Sequence, residues 1–177
     1  MTIEENKKLI ERYPFLLPRN VWNDEVDKDY DYSWILGIDE LPKGWIKLFL
    51  QMCEDIRKPL IENNYLDKFR FSEIKEKYGS MRLYNFGATQ EINEIIEKYE
   101  YISQFVCEEC GKPAEKESIN GWVGYYCSDC AASSKYCSEE DYRDITFEPI
   151  LHIYCIEKNC KYDKYIDCSD IWRRLYE

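Results

Sequence analysis

Histidine is almost missing from this chain: His152 stands alone among 177 residues. Nucleophilic chemistry that pairs Ser or Cys with an imidazole therefore has one candidate base. A His-Glu-x-x-His metal helix and the His-x-Glu motif of a zinc deaminase are both absent. So are the glycine-rich loops Gly-x-x-x-x-Gly-Lys-Ser/Thr and Gly-x-Gly-x-x-Gly, and the Gly-x-Ser-x-Gly elbow. No enzymatic activity is expected on these grounds. There is no run of eighteen apolar residues, so no membrane-spanning helix is expected. Residues 1–12 have neither the apolar centre of a signal peptide nor the Arg-rich, acid-poor character of a transit peptide, which makes the cytoplasm the expected location. Basic residues are also in short supply. Lys and Arg number 24 against 35 Asp and Glu, for a formal net charge of −11. Nucleic-acid binders draw much of their affinity from phosphate neutralisation and ordinarily carry a basic footprint. None is visible here.

What the chain does hold is enough apolar matter for a core, with 45% hydrophobic and 16% aromatic residues, and nine cysteines. An odd count and the absence of a leader oppose a disulfide framework. Four of the nine fall in Cys107-Glu-Glu-Cys110 and Cys127-Ser-Asp-Cys130, with sixteen residues between the pairs. Zinc takes four ligands in a tetrahedron, and two Cys-x-x-Cys turns at this separation supply four thiolates. The spacer reads as a hairpin, with strands over 115–119 and 122–126 and a type I′ turn at Asn120-Gly121. Knuckle, hairpin and a helix starting at the second pair suggest a zinc-ribbon or treble-clef unit. Four cysteines close the coordination shell, whereas catalytic zinc keeps a position open for water, so the ion is read as structural. His152, Cys155, Cys160 and Cys168, with Cys137 upstream, offer a second zinc set of irregular spacing. The alternative is free thiols and a core histidine on a strand over 146–156.

The rest of the chain alternates helices with one hairpin. Thr2-Ile-Glu-Glu5 is a capping-box pattern for a helix that Pro14 ends. A helical apolar face runs from Trp45 to about Asn63, with Pro59 expected to kink or end it. Residues 69–86 switch to strand alternation around a turn at Gly79. Thr89 caps a third helix with Ile92, Ile95, Ile96, Tyr99 and Ile102 on one stripe, and Ser169-Asp170 starts a terminal one. Residues 22–40 read as a loop with seven carboxylates against Lys28. Trp22, Asp24, Glu25, Asp27, Asp29, Tyr30, Asp31, Tyr32 and Trp34 form its acidic, aromatic stretch. Either this is a surface loop pinned by its rings, or a partner-binding surface with aromatic anchors, or a carboxylate cluster for a hard cation. The EF-hand pattern is absent, which argues against calcium.

Ile74-Lys-Glu-Lys-Tyr-Gly-Ser-Met-Arg82, the helix after it, the Cys-x-x-Cys-Gly-Lys-Pro-Ala string and the Gly-Trp…Tyr-Cys-x-x-Cys-Ala string are similar to a family of uncharacterised small proteins from bacteria, prophages and phages. Tyr13-Pro-Phe-Leu and Leu41-Pro-Lys-Gly-Trp45 match it as well. The resemblance spans about residues 12–131 and implies a mobile-element origin; no established activity comes with it. The expected architecture is α+β: an α+β domain over 1–106 with helices packed on a small antiparallel hairpin, a zinc-binding module over 107–137, and a strand and helix extension over 138–177. The expected role is a non-catalytic interaction protein with a protein partner of basic surface. One version is a phage-encoded inhibitor of a host defence protein. The alternative is a nucleic-acid-binding or transcriptional accessory module, and a third is an enzyme with an unrecognised site.

Overall fold

The computed structural model describes residues 1–135, 137–145 and 168–176. Helix α1 spans Ile3–Arg12. The Thr2 hydroxyl accepts from Glu5 N, and the Glu5 carboxylate accepts from Thr2 N at 2.7 Å, so two amides left over at the helix start are satisfied reciprocally. Pro14 begins a single 3-10 turn, Pro14–Leu16, that buries Phe15 and Leu16. The chain then runs irregularly to a second 3-10 turn at Lys43–Trp45, which leads into α2, Ile46–Glu62. Leu48, Phe49, Met52, Cys53, Ile56 and Leu60 form the buried face of α2. Of the two outcomes expected at Pro59, a kink or an end, the end does not occur. The proline sits in the last turn with its ring buried, and the helix continues to Glu62. Asn63 Nδ2 caps the end by donating to the Pro59 carbonyl at 2.8 Å.

Strands β1 (Arg70–Lys77) and β2 (Ser80–Phe86) pair antiparallel, with Lys77 opposite Ser80 and a register shift between Phe71 and Glu73. Tyr78 and Gly79 close the hairpin, both at positive φ (55° and 71°), as a tight two-residue loop of the I′ kind requires. Helix α3, Gln90–Ser103, is capped by Thr89 and lies along β2. Its side chains also cover the strand edge: Ser103 Oγ accepts from Met81 N at 2.9 Å and Glu100 Oε1 from Leu83 N at 2.7 Å. Those bonds occupy amides that an uncovered edge would offer to another chain. The core lies between α2, α3 and the hairpin. Trp45, Phe49, Met52, Tyr99 and Met81 are fully buried there.

Beyond α3 come β3 (Lys116–Ser118), β4 (Tyr125–Tyr126), α4 (Ser128–Ala132) and β5 (Tyr142–Asp144), the strands ordered β4-β3-β5. The β3–β4 connection is not the two-residue turn expected at Asn120-Gly121. Gly121 has φ +73°, but Asn120 is not at positive φ. Ile119 N donates instead to the Asp141 carbonyl at 2.8 Å, and Ser118 N to Gly124 O at 2.9 Å, so the loop is longer. Helix α5, Cys168–Tyr176, returns to the first half. Ile171 and Leu175 are buried in the main core, and Lys47 Nζ and Gln51 Nε2 on α2 donate to the carbonyls of Leu175 and Ile171. The fold is therefore mixed helix and sheet, with a small antiparallel hairpin and a four-cysteine segment compatible with a zinc-ribbon-like module. Among the described residues no helix is long and apolar enough to cross a membrane. The strand expected over 146–156, His152, Cys155, Cys160 and the Cys168 side chain lie outside the described residues.

Candidate metal centre

The first cysteine pair follows α3 directly. Gly111, at φ +76°, closes the turn, with its N–H on the Cys107 carbonyl at 2.9 Å and Cys107 N on Lys112 O at 2.8 Å. The second pair sits where β4 meets α4. Cys127 is the N-cap of α4, and its sulfur accepts from Cys130 N at 3.5 Å. Pairing of β3 with β4 brings the two turns face to face. The four sulfurs lie within 4.8 Å of one another, and Cys110 Sγ is 3.6 Å from Cys127 Sγ. Zinc–sulfur bonds of about 2.3 Å in a tetrahedron place sulfurs about 3.8 Å apart, so the donor set fits zinc in number, kind and spacing. Among the described residues this is the sole group of three or more Cys, His, Asp or Glu side chains close enough to hold an ion.

Two of the thiols resist ionisation. Burial pushes the Cys107 thiol up, and the Cys130 thiol is pushed up by loss of hydration and by the neighbouring thiols. Burial acts the same way on Cys110, but the Lys112 N–H and hydrogen bonds from the other thiols bring it down overall. A divalent cation at the centre reverses this repulsion and takes all four as thiolates.

The site is joined to the core by contacts that residue spacing does not reveal. Gly44 lies flat against the first knuckle: its N–H donates to the Glu108 carbonyl at 2.8 Å. A Cβ on Gly44 would sit inside contact distance of the Cys107 carbonyl oxygen and 2.6 Å from Gly111 N. Trp45 Nε1 donates to the Val106 carbonyl at 2.8 Å, and Tyr176 at the end of α5 donates its hydroxyl to the Gly111 carbonyl at 2.9 Å. Glu108 is buried, accepts from Tyr125 N at 3.0 Å, and has its carboxyl raised to about 7, chiefly by loss of hydration. At the other end of the module, Gly79 of the first hairpin packs on the Tyr125 ring. Gly44, Trp45, Glu108 and Tyr176 were not legible as site residues, because each acts through a contact far along the chain or through its backbone.

The acidic, aromatic stretch gathers around a separate hollow, lined by residues of the 18–34 loop, Glu25, Asp27, Asp29, Tyr30, Asp31 and Trp34 among them. Tyr30 donates its hydroxyl to the Trp34 carbonyl at 2.5 Å and packs on the rings of Tyr32 and Trp34. Burial, with Tyr32 and Asp31 nearby, raises the Tyr30 phenol to about 12. The Asp31 carboxyl is lowered by hydrogen bonds from Ser33. Asp24 turns the other way, at φ +60°, and pairs with Arg70 at 2.8 Å. Trp22 is 92% exposed. No protein-family model, curated protein or solved structure matches the chain.

Proposed function

We propose that this chain is a zinc-braced interaction protein without catalytic chemistry of its own. Cys107, Cys110, Cys127 and Cys130 hold one structural ion, and binding to another protein is the activity. The observation that carries this reading is the four-sulfur cluster itself. It fills a tetrahedral shell with no position left for water or substrate, and it is fastened to the core through Gly44, Trp45 and Tyr176. The contact face is the acidic loop around Trp22 and Trp34, whose exposed rings beside carboxylates suit a partner of basic surface. The resemblance to phage and prophage proteins supports a concrete version: an inhibitor that covers the basic, nucleic-acid-binding surface of a host defence protein. The nucleic-acid reading is weaker, since two of the three lysines of the module and the neighbouring Arg143 are already engaged. Lys112 pairs with Asp129, Lys116 with Asp144 and Arg143 with Glu117.

The test is affinity capture from a bacterial lysate on the immobilised zinc-loaded chain, with a Trp22→Ala/Asp29→Lys variant alongside. The native chain is expected to retain a protein that elutes as salt rises, because exposed charges separated by more than about 10 Å are screened at 0.1 M. The variant is expected to lose it. A partner held equally by both forms, or indifferent to salt, removes the loop as the contact face.

A further inference from the structure

The four cysteines of the metal centre are not equally placed. Cys107 and Cys127 are buried, at 0% and 4% exposure. Cys130 is half-buried, and Cys110 is exposed. A small solute therefore meets Cys110 first. Ligation to zinc keeps a cysteine as the thiolate, which is the form that reacts with electrophiles. Access then decides which of four thiolates is modified, because oxidation follows thiolate character and exposure together.

Cys110 also has a partner within reach on the other turn. Its sulfur is 3.6 Å from that of Cys127, and a disulfide bond is about 2 Å long, so side-chain rotation has a short gap to close. The partner inside its own turn is less free. Cys107 is fixed at both backbone groups, its N–H on the Lys112 carbonyl and its carbonyl on the Gly111 N–H. Gly44 packs directly on that same carbonyl oxygen. A bond closed between Cys107 and Cys110 would tighten the very turn on which the core rests. Charge also selects the oxidant. A net charge of −11 repels anionic oxidants and leaves a neutral hydroperoxide unhindered.

We propose that Cys110 is an oxidation site for hydroperoxides, with Cys127 as the thiolate that resolves it into a disulfide between the two turns. The inference rests on the zinc reading above and adds how the site is regulated. The Cys110 sulfur attacks one peroxide oxygen, the O–O bond breaks, hydroxide leaves and Cys110 becomes a sulfenic acid. The Cys127 thiolate then attacks the Cys110 sulfur, the S–S bond forms, the S–O bond breaks and a second hydroxide leaves. Two thiolates have given up two electrons, and one hydrogen peroxide with two solvent protons has become two waters. Cys107 and Cys130 alone are then left as donors, too few to close a tetrahedral zinc shell. The new bond joins the same two turns that the ion had joined, and a thiol reductant returns both cysteines to the donor set.

The experiment treats the full zinc-loaded chain with hydrogen peroxide beside a weak chromophoric zinc indicator, and maps disulfides by peptide mass spectrometry as zinc appears. Zinc is expected to be released in step with disulfide formation, the first disulfide joining Cys110 to Cys127. Reductant with fresh zinc is expected to restore the loaded form. Cys53, fully buried in the core, is expected to stay reduced throughout. Cys110→His keeps a zinc donor at the exposed position and is expected to retain its ion over the time in which the native chain loses it. Retention of zinc by the treated native chain overturns the proposal. So does a first disulfide that joins any other pair, oxidation of Cys53 at the same rate, or equally fast loss from a zinc-loaded Cys110→His. The mapping on the native chain decides the matter even where the variant binds no zinc. Loss of zinc from the untreated chain removes the metal site itself, whereas retention under peroxide leaves the site standing and removes only its oxidation.

Discussion

At the scale of single residues, Gly44 holds the most leverage. Its missing side chain lets residues 42–45 lie against the backbone of the first cysteine turn. Gly44→Ala pushes a carbon into backbone atoms that cannot step aside, so a loss of about 3 kcal/mol is expected in urea unfolding, at the upper end of overpacking costs. Gly121→Ala is the matched control. Nothing lies within 4 Å of a Cβ there, and only the left-handed backbone at φ +73° is penalised, by about 1 kcal/mol. Equal losses from the two substitutions would remove the docking role of Gly44. Glu100 gives a residue-level test in pH. Burial lifts its carboxyl above the ordinary 4.5, against the opposing pull of the Leu83 N–H. A raised carboxyl favours the protonated fold. Its stabilising contribution is complete below 4.5 and is lost as pH rises through the lifted value. Glu100→Gln should therefore flatten that part of the stability curve, read as the native-minus-variant difference so that thiol protonation cancels. Parallel curves would contradict the assignment.

At the scale of elements, α5 is held to α2 by Arg174, which reaches Asp55 at 2.6 and 2.9 Å, while the buried Tyr99 hydroxyl shares the same carboxylate. Arg174 is 36% exposed, so solvent screening reduces the pair, and Arg174→Ala is expected to cost about 1 kcal/mol. The change should appear as faster amide exchange confined to residues 168–176, and unchanged exchange there would leave Ile171 and Leu175 as the whole attachment. The elements differ in how far the sequence disclosed them. Helix α1, the β1–β2 hairpin and the cysteine turns were legible, because each is governed by residues a few positions apart: Thr2 with Glu5, Tyr78 with Gly79, Cys107 with Cys110. Asn120-Gly121 misled, since the Ile119 amide is drawn to Asp141, twenty-two positions on. At Pro59 the expected end does not occur: the ring is buried against the core, and the helix runs three residues further, to Glu62. Attachment of the metal centre to residues 44–45 and 176 had no local signature at all.

At the scale of the whole molecule, metal and core are expected to stand or fall together. A tetrahedral cysteine site contributes on the order of 10 kcal/mol to folding, comparable with the net stability of about 5–15 kcal/mol of an ordinary domain. Because Trp45 is bonded to Val106 and Gly44 to Glu108, removal of zinc by a strong chelator should disturb the near-UV circular dichroism of the buried Trp45, and not the module alone. An unchanged Trp45 signal would show that the two halves hold their folds separately. The claim beneath all of this is a closed four-sulfur zinc site. X-ray absorption at the zinc edge, on the full chain loaded with one equivalent of zinc, addresses it most directly. The account predicts a single shell of four sulfurs at about 2.3 Å. A nitrogen or oxygen in that shell, or an ion that does not stay bound, would contradict it.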